Sequence, residues 1–507
     1  MKICLINPPN TYELVGNDPV IIKEQQGVYP PLGILYIANS MKNAGYDVTV
    51  IDCQAEEIDH EECSRRVAKL NPDVVGLTAM TFTLVDCKLV IESIRKQVVT
   101  NIVVGGPHTA IFPMETFEGL KADYVIVGEG EKTLDILCKD ITSGKVNKFM
   151  DETKRVYHQH EYYEDLDDLP FAAREMTDIS KYYSILSEET PSTTFMSSRG
   201  CPFSCSYCDR PALGVTIDEN GVERGGKRFR PQSAKRVVDE MEHCERVLGI
   251  KDIFFYDDTF SVSMKRVQQI CDEYNRRKLT IKWDVRTRVN VINEELLKSM
   301  SEAGCTRIHF GVESGSPRII REINKGISIR QVEDAFRLCK KYKIKTLAYF
   351  MMGNPTETLD DVKMTLELSK KIKPDYMQMT ILSPFPATEA YMLARKDGTI
   401  QGDPWREYSR VINDDFRPPL YDAIYTRQEL EKMLRWFYRK FYLHPRFILD
   451  RILEIKNWGQ FKRYWSAGIS LVKMTLVPES KMQDSWQLRT KTKIASSKAP
   501  EAAVALH

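Results

Sequence analysis

The stretch FMSSRGCPFSCSYCDRP, residues 195–211, places Cys201, Cys205 and Cys208 within eight positions, directly behind an apolar run that reads as a short strand. Three thiols in a Cys-x3-Cys-x2-Cys spacing are a metal-ligand set, and the missing fourth ligand decides which metal. Zinc takes four closed ligands, usually as two separated pairs, and the chain has no second Cys-x-x-Cys. A three-thiolate site with one open position fits iron–sulfur chemistry. An incidental cluster or a zinc knuckle is the plain alternative. Tyr207 puts an aromatic ring where it can shield such a site from water.

Downstream of this loop, apolar runs and amphipathic runs alternate. TTFMSSR, KDIFFYDD, IKWDVRTR, RIHFGVE, TLAYFMMG and YMQMTILSP read as strands, each followed by a helical stretch. Ser328 with Gln331 and Thr358 with Asp361 are capping boxes that start two of the helices. Six strands in this rhythm imply a partial (β/α)6 barrel over residues 191–395, with its chemistry at the carboxyl ends of the strands. Polar groups stand at those ends: Asp257 and Asp258, Arg286 and Arg288, Glu313 and Ser314, and the turn from Gly353 to Pro355. Structural ion pairs are the alternative reading of each.

Upstream, residues 1–150 show a second βα repeat: KICLIN, DVTVID, DVVGLTA, NIVVGG and DYVIV, with helical stretches such as LGILYIANSMKNAG between them. Near-continuous apolar strands separated by helices imply a doubly wound, Rossmann-like parallel sheet with ligands at its carboxyl edge. The loops at that edge hold Asn7 and Pro8, Thr78 and Met80, Gly105, Gly106 and His108, and Gly128, Glu129 and Gly130. Residues 151–190 read as a linker, 396–480 as a mostly helical cap, and 481–507 as a tail without fold. The fold class is therefore α/β.

At +1 over 507 residues, the charge argues for neither nucleic acid nor disorder. The amino terminus lacks a secretory pattern and no apolar run is long enough to span a membrane, so a cytoplasmic, soluble chain is expected. Nine of the twelve cysteines are scattered singly among apolar residues and read as small core side chains. Between 427 and 465, ten aromatic residues and ten Lys or Arg fall together, a composition suited to peripheral membrane contact or to an amphipathic helical cap.

The cysteine triplet resembles the signature of the radical S-adenosylmethionine (SAM) enzymes. That resemblance implies a [4Fe-4S] cluster on Cys201, Cys205 and Cys208, with SAM as the missing ligand of the fourth iron. It implies SAM contacts from Tyr207, Asp257, Asp258, Arg286 (or Arg288), Glu313, Ser314, Gly353 and Pro355. YPPLGILYIA, VVGGPHTA and VIVGEGE are similar to the cobalamin-binding domain that precedes the barrel in one subclass. Cobalamin contacts would then come from Asn7, Pro8, Thr78, Met80, Gly105, Gly106, His108, Gly128, Glu129 and Gly130. The older Asp-x-His-x-x-Gly element is absent after the first strand, which implies cobalamin held with its nucleotide tail detached and no histidine on cobalt; retention of the domain for packing alone is the alternative. The expected activity is methylation or cyclisation of an unactivated carbon in a small-molecule or lipid-like substrate, driven by a 5′-deoxyadenosyl radical with an electron from flavodoxin or ferredoxin. The anaerobic magnesium-protoporphyrin monomethyl ester cyclases share the domain order and form a ring without net methylation. A non-catalytic electron carrier or cobalamin sensor is the reading from another class.

Overall fold

Short β-branched runs form the amino-terminal sheet: β1 (Lys2–Asn7), β2 (Asp47–Asp52), β3 (Val74–Thr78), β4 (Asn101–Gly105), β5 (Tyr124–Val127) and β6 (Val156–His158). They belong to a computed structural model that describes residues 1–14, 27–158, 162–184, 186, 187, 189–209, 215–217, 223–225, 229–445, 447–449 and 468. The strand order is β2-β1-β3-β4-β5-β6 and every pairing is parallel. Five consecutive residues of β1 are buried, as a parallel strand covered on both faces requires. Helices Leu32–Asn43 and Gly130–Thr142 share one core with the sheet, through Leu35, Met41, Leu134 and Leu137. His60–Leu70 and Leu84–Arg95 share the other, through Cys63, Val67, Val90 and Ile94. The order of strands reverses between β1 and β3, which opens a ligand crevice at their carboxyl ends.

The stretch read as a linker contributes β6, which lengthens this sheet past residue 150. The polar residues around Val156 and Tyr157 hide the strand from a periodicity reading, because an edge strand buries little.

The second sheet runs β7 (Ser192–Phe195), β12 (Asp252–Phe255), β13 (Lys282–Thr287), β14 (Cys305–Glu313), β15 (Lys345–Met352) and β16 (Tyr376–Ile381), all parallel and in sequence order. Its ladder ends at β7 and β16, so the barrel is an open half-barrel. The TTFMSSR run divides. β7 stops at Phe195, and β8 (Ser198–Gly200) pairs antiparallel with β11 (Phe229–Pro231). The cause is Asp257: its carboxylate takes the Ser197 backbone N–H at 2.7 Å, so that donor is lost to the parallel ladder. β9 (Val215–Ile217) and β10 (Glu223–Gly225) pair antiparallel as a separate two-stranded sheet.

Both capping boxes form, at Ser328 and Thr358. The nine single cysteines are all buried. Past residue 385 the chain returns to the amino-terminal domain: Trp405 and Tyr408 enter the core that holds Leu84 and Phe117. The Ser409 carbonyl oxygen lies 2.1 Å from where a Cβ on Gly119 would stand, so only glycine admits helix Pro404–Arg410 there. Met1–Leu434 form one compact unit and Arg435–His507 a second. No helix among the described residues is long and apolar enough to cross a membrane. Most of 446–465, and all of 481–507, lie outside the described residues.

Candidate active site

The cysteine loop leaves β8 and meets residues at the carboxyl ends of β12, β13 and β14: Thr259, Arg288 and Glu313. Cys205 is buried, and Cys201 and Cys208 are half-buried. Arg288 donates from Nη1 to Cys205 Sγ at 3.2 Å, and its ring neighbour is Phe203, 3.9 Å from the guanidinium. Cys201 Sγ lies 3.4 Å from Thr259 Oγ1. Burial, and then Cys205 and Cys201 beside it, pushes the Cys208 thiol up to about 12. Burial likewise raises Cys201. Two thiols of the loop, Cys201 and Cys208, that burial keeps from ionising fit a multiply charged metal centre, which would supply the compensating charge. No trio of His, Cys, Asp and Glu among the described residues converges as a single-ion site. A four-iron cluster takes each thiolate on a separate iron, so its ligands need not converge. The His-x-His pair at 158 and 160 adds nothing to this loop that can be described: His158 is exposed at the end of β6, and His160 lies outside the described residues.

Beside the loop, Glu313 Oε1 accepts from Tyr207 Oη at 2.9 Å and from Lys325 Nζ at 2.7 Å, and Lys325 Nζ also donates to Tyr207 Oη at 2.9 Å. Glu313 adopts φ +67° where β14 slips register against β15. A bulge that turns one carboxylate toward the metal loop is a functional signature. Lys325 and the Arg288 contact with Cys205 escape a linear reading, because Lys325 joins Glu313 across a turn rather than through a strand-end motif. The Arg288 guanidinium also donates to the Lys325 carbonyl, which ties the two cationic residues together.

The other residues assigned to SAM divide. Asp257 is fully engaged by Ser197 N, Ser197 Oγ and Ser198 Oγ at 2.6–2.7 Å, and so braces the start of the cysteine loop. Burial, then Asp257, pushes Asp258 up to about 6. Ser314 is committed to Thr365 Oγ1 at 3.2 Å. The Gly353 and Asn354 amides donate to Glu357 at 2.6 and 3.1 Å, and burial pushes that carboxyl up to about 7. Pro355 is buried in the same turn, where Asn354 Oδ1 is a buried acceptor without a partner among the described residues. Arg286 lies over the rings of Tyr256 and Phe254, at 4.3 and 4.9 Å.

At the amino-terminal crevice, Asn7 donates to Asp52 at 2.7 Å and Tyr182 donates to the same carboxylate at 2.8 Å. The Pro8 carbonyl accepts from Gln54 at 3.0 Å. Met80 projects an exposed thioether beside Thr78. Gly105 has no atom within 3.4 Å of a Cβ position, whereas Gly106, at φ +109°, would meet Ala79 O at 2.8 Å and Thr78 Oγ1 at 2.9 Å. His108 is buried, with Thr81 Oγ1 at 3.0 Å from Nδ1 and Ser409 Oγ at 3.0 Å from Nε2. Both ring nitrogens are engaged, so this histidine is a structural link to helix Pro404–Arg410. These observations fit cobalamin without a histidine ligand: an exposed soft side chain at Met80, an uncrowded Gly105, and no histidine nitrogen free at His108. After β5, Gly128 turns at φ +93° and Gly130 packs on Ile37. Glu129 and Glu131 pair with Arg199 at 2.7 and 2.5 Å, and Glu129 also pairs with Arg230. Glu129 thereby joins the crevice loop to β8.

A three-thiol loop on a parallel half-barrel, preceded by a doubly wound domain with its ligand crevice, defines a radical SAM enzyme with a B12-binding domain. The B12 binding domain family matches residues 19–138 and the radical SAM superfamily matches residues 195–369. An uncharacterized methyltransferase of Pyrococcus horikoshii is 32% identical over 464 residues, covering 90% of this chain and 95% of that protein. The anaerobic magnesium-protoporphyrin IX monomethyl ester cyclase of Cereibacter sphaeroides is 26% identical, covering 83% of this chain and 68% of the cyclase. The fold resembles the cobalamin-dependent SAM radical enzyme OxsB with aqua-cobalamin bound, at TM-score 0.67 and 17% identity, over 97% of this chain and 75% of that one. The chain belongs to the radical SAM enzymes that carry an amino-terminal B12-binding domain. A [4Fe-4S] cluster, SAM and cobalamin are the cofactors that this architecture serves.

Proposed function

We propose that the protein transfers a methyl group to an unactivated carbon of a small organic substrate, using SAM at Cys201, Cys205 and Cys208 and cobalamin in the amino-terminal crevice. The observation that carries this reading is the ion-paired junction of the two cofactor loops. Arg199, two residues before the first cysteine, holds Glu129 and Glu131 of the loop after β5. The two loops are thus held against each other, as a substrate that must meet both cofactors requires.

When bound, the cluster and SAM would supply a 5′-deoxyadenosyl radical and cobalamin a methyl group. The chain's own part is to hold and exclude. Arg288, which donates to Cys205, would steady one cluster thiolate; Tyr207 and Lys325, which hold Glu313, would aim it at SAM; and the rings of Phe203 and Tyr207 would keep water from the loop. Gly353, Pro355 and Asp258 complete the proposed SAM surface, and Asn7, Pro8, Thr78, Met80, Gly105, Gly106, Gly128 and Gly130 the proposed cobalamin surface. The electron would come from a flavodoxin or ferredoxin. Methyl transfer is favoured over ring formation by the methyltransferase relative that spans nearly the whole chain.

Anaerobic protein, reconstituted with iron, sulfide and hydroxocobalamin and given dithionite and SAM, should form both 5′-deoxyadenosine and S-adenosylhomocysteine. 5′-Deoxyadenosine without S-adenosylhomocysteine, in the presence of substrate and cobalamin, would replace methyl transfer by cyclisation. A chain with all three cysteines changed to alanine that still held its iron and sulfide would overturn the site itself.

A further inference from the structure

The half-barrel interior holds three arginines at successive heights, and their partners differ. Arg307 is paired with Asp284, and its Nε donates to His309 Nε2 at 3.0 Å. Arg288 is committed to Cys205 Sγ and the Lys325 carbonyl. Arg286, between them, has no carboxylate at ion-pair distance among the described residues, and its buried Nε has no hydrogen-bond partner there. Asp258 and Asp284 are the nearby acids that feel its charge, neither reaching a salt bridge with it, and Asp284 is already paired with Arg307. The guanidinium lies instead over the faces of Tyr256 and Phe254 and donates to the Tyr349 and Tyr256 hydroxyls. A desolvated guanidinium held only by neutral hydroxyls and rings, with Nε unpartnered, has its charge uncompensated at contact distance and can take an anion.

The position says whose anion. Arg286 lies on β13 and Arg288, still extended, directly follows its last residue, so the two alternate onto the same side and their Cα atoms lie about 7 Å apart along the chain. Arg288 touches a thiol of the cysteine loop; Arg286 stacks on Tyr256, whose ring is 6.0 Å from Tyr29 of the amino-terminal domain. An anion on Arg286 would therefore hold a molecule next to the residue that touches the cysteine loop and at the aromatic contact between the half-barrel and the amino-terminal domain, where a substrate of the proposed function can meet both.

We propose that Arg286, framed by Tyr256 and Tyr349, is the anchor for a carboxylate or phosphate group of the substrate, and that Arg286 does not hold the SAM carboxylate. This assignment rests on the radical SAM reading for its substrate, but the anion site itself stands on the geometry.

The test is equilibrium binding of benzoate, phenyl phosphate and neutral benzyl alcohol to the cofactor-loaded chain, followed by saturation-transfer NMR. The wild type should bind one of the two anions and not the alcohol, and the preferred anion tells carboxylate from phosphate. Arg286→Gln should weaken that binding about tenfold or more, the cost of one charge-assisted contact. Arg286→Lys keeps the charge but not the planar fork, and should fall between them. In the same variants the preference for SAM over decarboxylated SAM should match the wild type. Anion binding unchanged in both variants, or no anion binding by the wild type, overturns the proposal. A collapse of the preference for SAM over decarboxylated SAM also overturns it, by giving Arg286 to SAM. If the Gln variant does not fold, the Lys variant carries the comparison. Absence of 5′-deoxyadenosine from the wild type would sink the radical reading while leaving the anion measurement to stand or fall alone.

Discussion

Lys325 and Glu313 form a buried ion pair at 2.7 Å whose second acceptor contact comes from Tyr207. Removing one member leaves the other charge without a partner, so Lys325→Met should cost about 3–5 kcal/mol, read as urea unfolding of the anaerobic protein. Adding Glu313→Gln to it should restore part of that loss; a double variant less stable than Lys325→Met alone would refute the pairing. Sequence placed Glu313 correctly at a strand end and left its partner unseen, because the pair closes only when the turn after helix Pro317–Glu322 folds back. His108 reverses the case: its loop position resembles a ligand, yet burial pushes its pKa down to about 3 and hydroxyls occupy both nitrogens. Since the folded pKa lies below the unfolded 6.5, His108 costs nothing above pH 6.5, and stability falls as pH drops from there toward 3. The slope from this one group is about 1.4 kcal/mol per pH unit, so His108→Gln should flatten the acid limb of cofactor-free unfolding curves by that amount. With hydroxocobalamin bound and reduced to Co(II), the paramagnetic resonance spectrum should show no nitrogen splitting from a lower ligand. Splitting that vanishes in His108→Gln would return this residue to cobalt.

Elements with one strong local signal were legible. The parallel strands announce themselves as apolar runs, and Ser328 with Gln331 fixes the start of helix Ile329–Lys341, so Ser328→Ala should cost about 1 kcal/mol in thermal denaturation. Elements whose course depends on a distant side chain were not. β7 and β8 read as one strand because nothing local marks the break; Asp257, sixty residues on, takes the Ser197 amide and turns the chain. The same carboxylate looks like a ligand group in sequence, since a strand end is where ligands bind, but its oxygens are spent on Ser197 and Ser198. Gly106 was legible as a close-approach glycine, though what it approaches is the chain's own β3 loop, at 2.8 Å from a Cβ to Ala79 O. At φ +109° a side chain is strained as well as crowded. Gly106→Ala should therefore destabilise the amino-terminal domain by more than about 1 kcal/mol and lower cobalamin retention, measured by the bound corrin spectrum after desalting.

At the scale of the whole chain, domain order was legible from two βα rhythms, while the contacts that join the domains were not. Glu129 reads in sequence as a cobalamin contact and Arg199 as part of a strand, and nothing local joins them to Glu131 and Arg230; it is the fold that brings the four together as one network. Arg199 bridges Glu129 and Glu131, and the Glu131 side chain is only 5% exposed. Exposed ion pairs are worth little, but a carboxylate buried to this degree without its guanidinium is costly. Glu129 keeps Arg230 when Arg199 is lost, so the cost falls on Glu131 and on the junction of the crevice loop with β8. Arg199→Met should thus raise hydrogen exchange in residues 127–131 and 198–200 together, leaving β14 and β15 as they were. Because the cysteines remain, iron content should hold. Because the loops that position the two cofactors no longer share a fixed junction, the yield of 5′-deoxyadenosine per methylated product should rise, the mark of a radical formed without its methyl donor in place. Exchange that rises in one loop only would mean that Arg199 stiffens that loop alone, and an unchanged product ratio with both loops loosened would separate the junction from the chemistry.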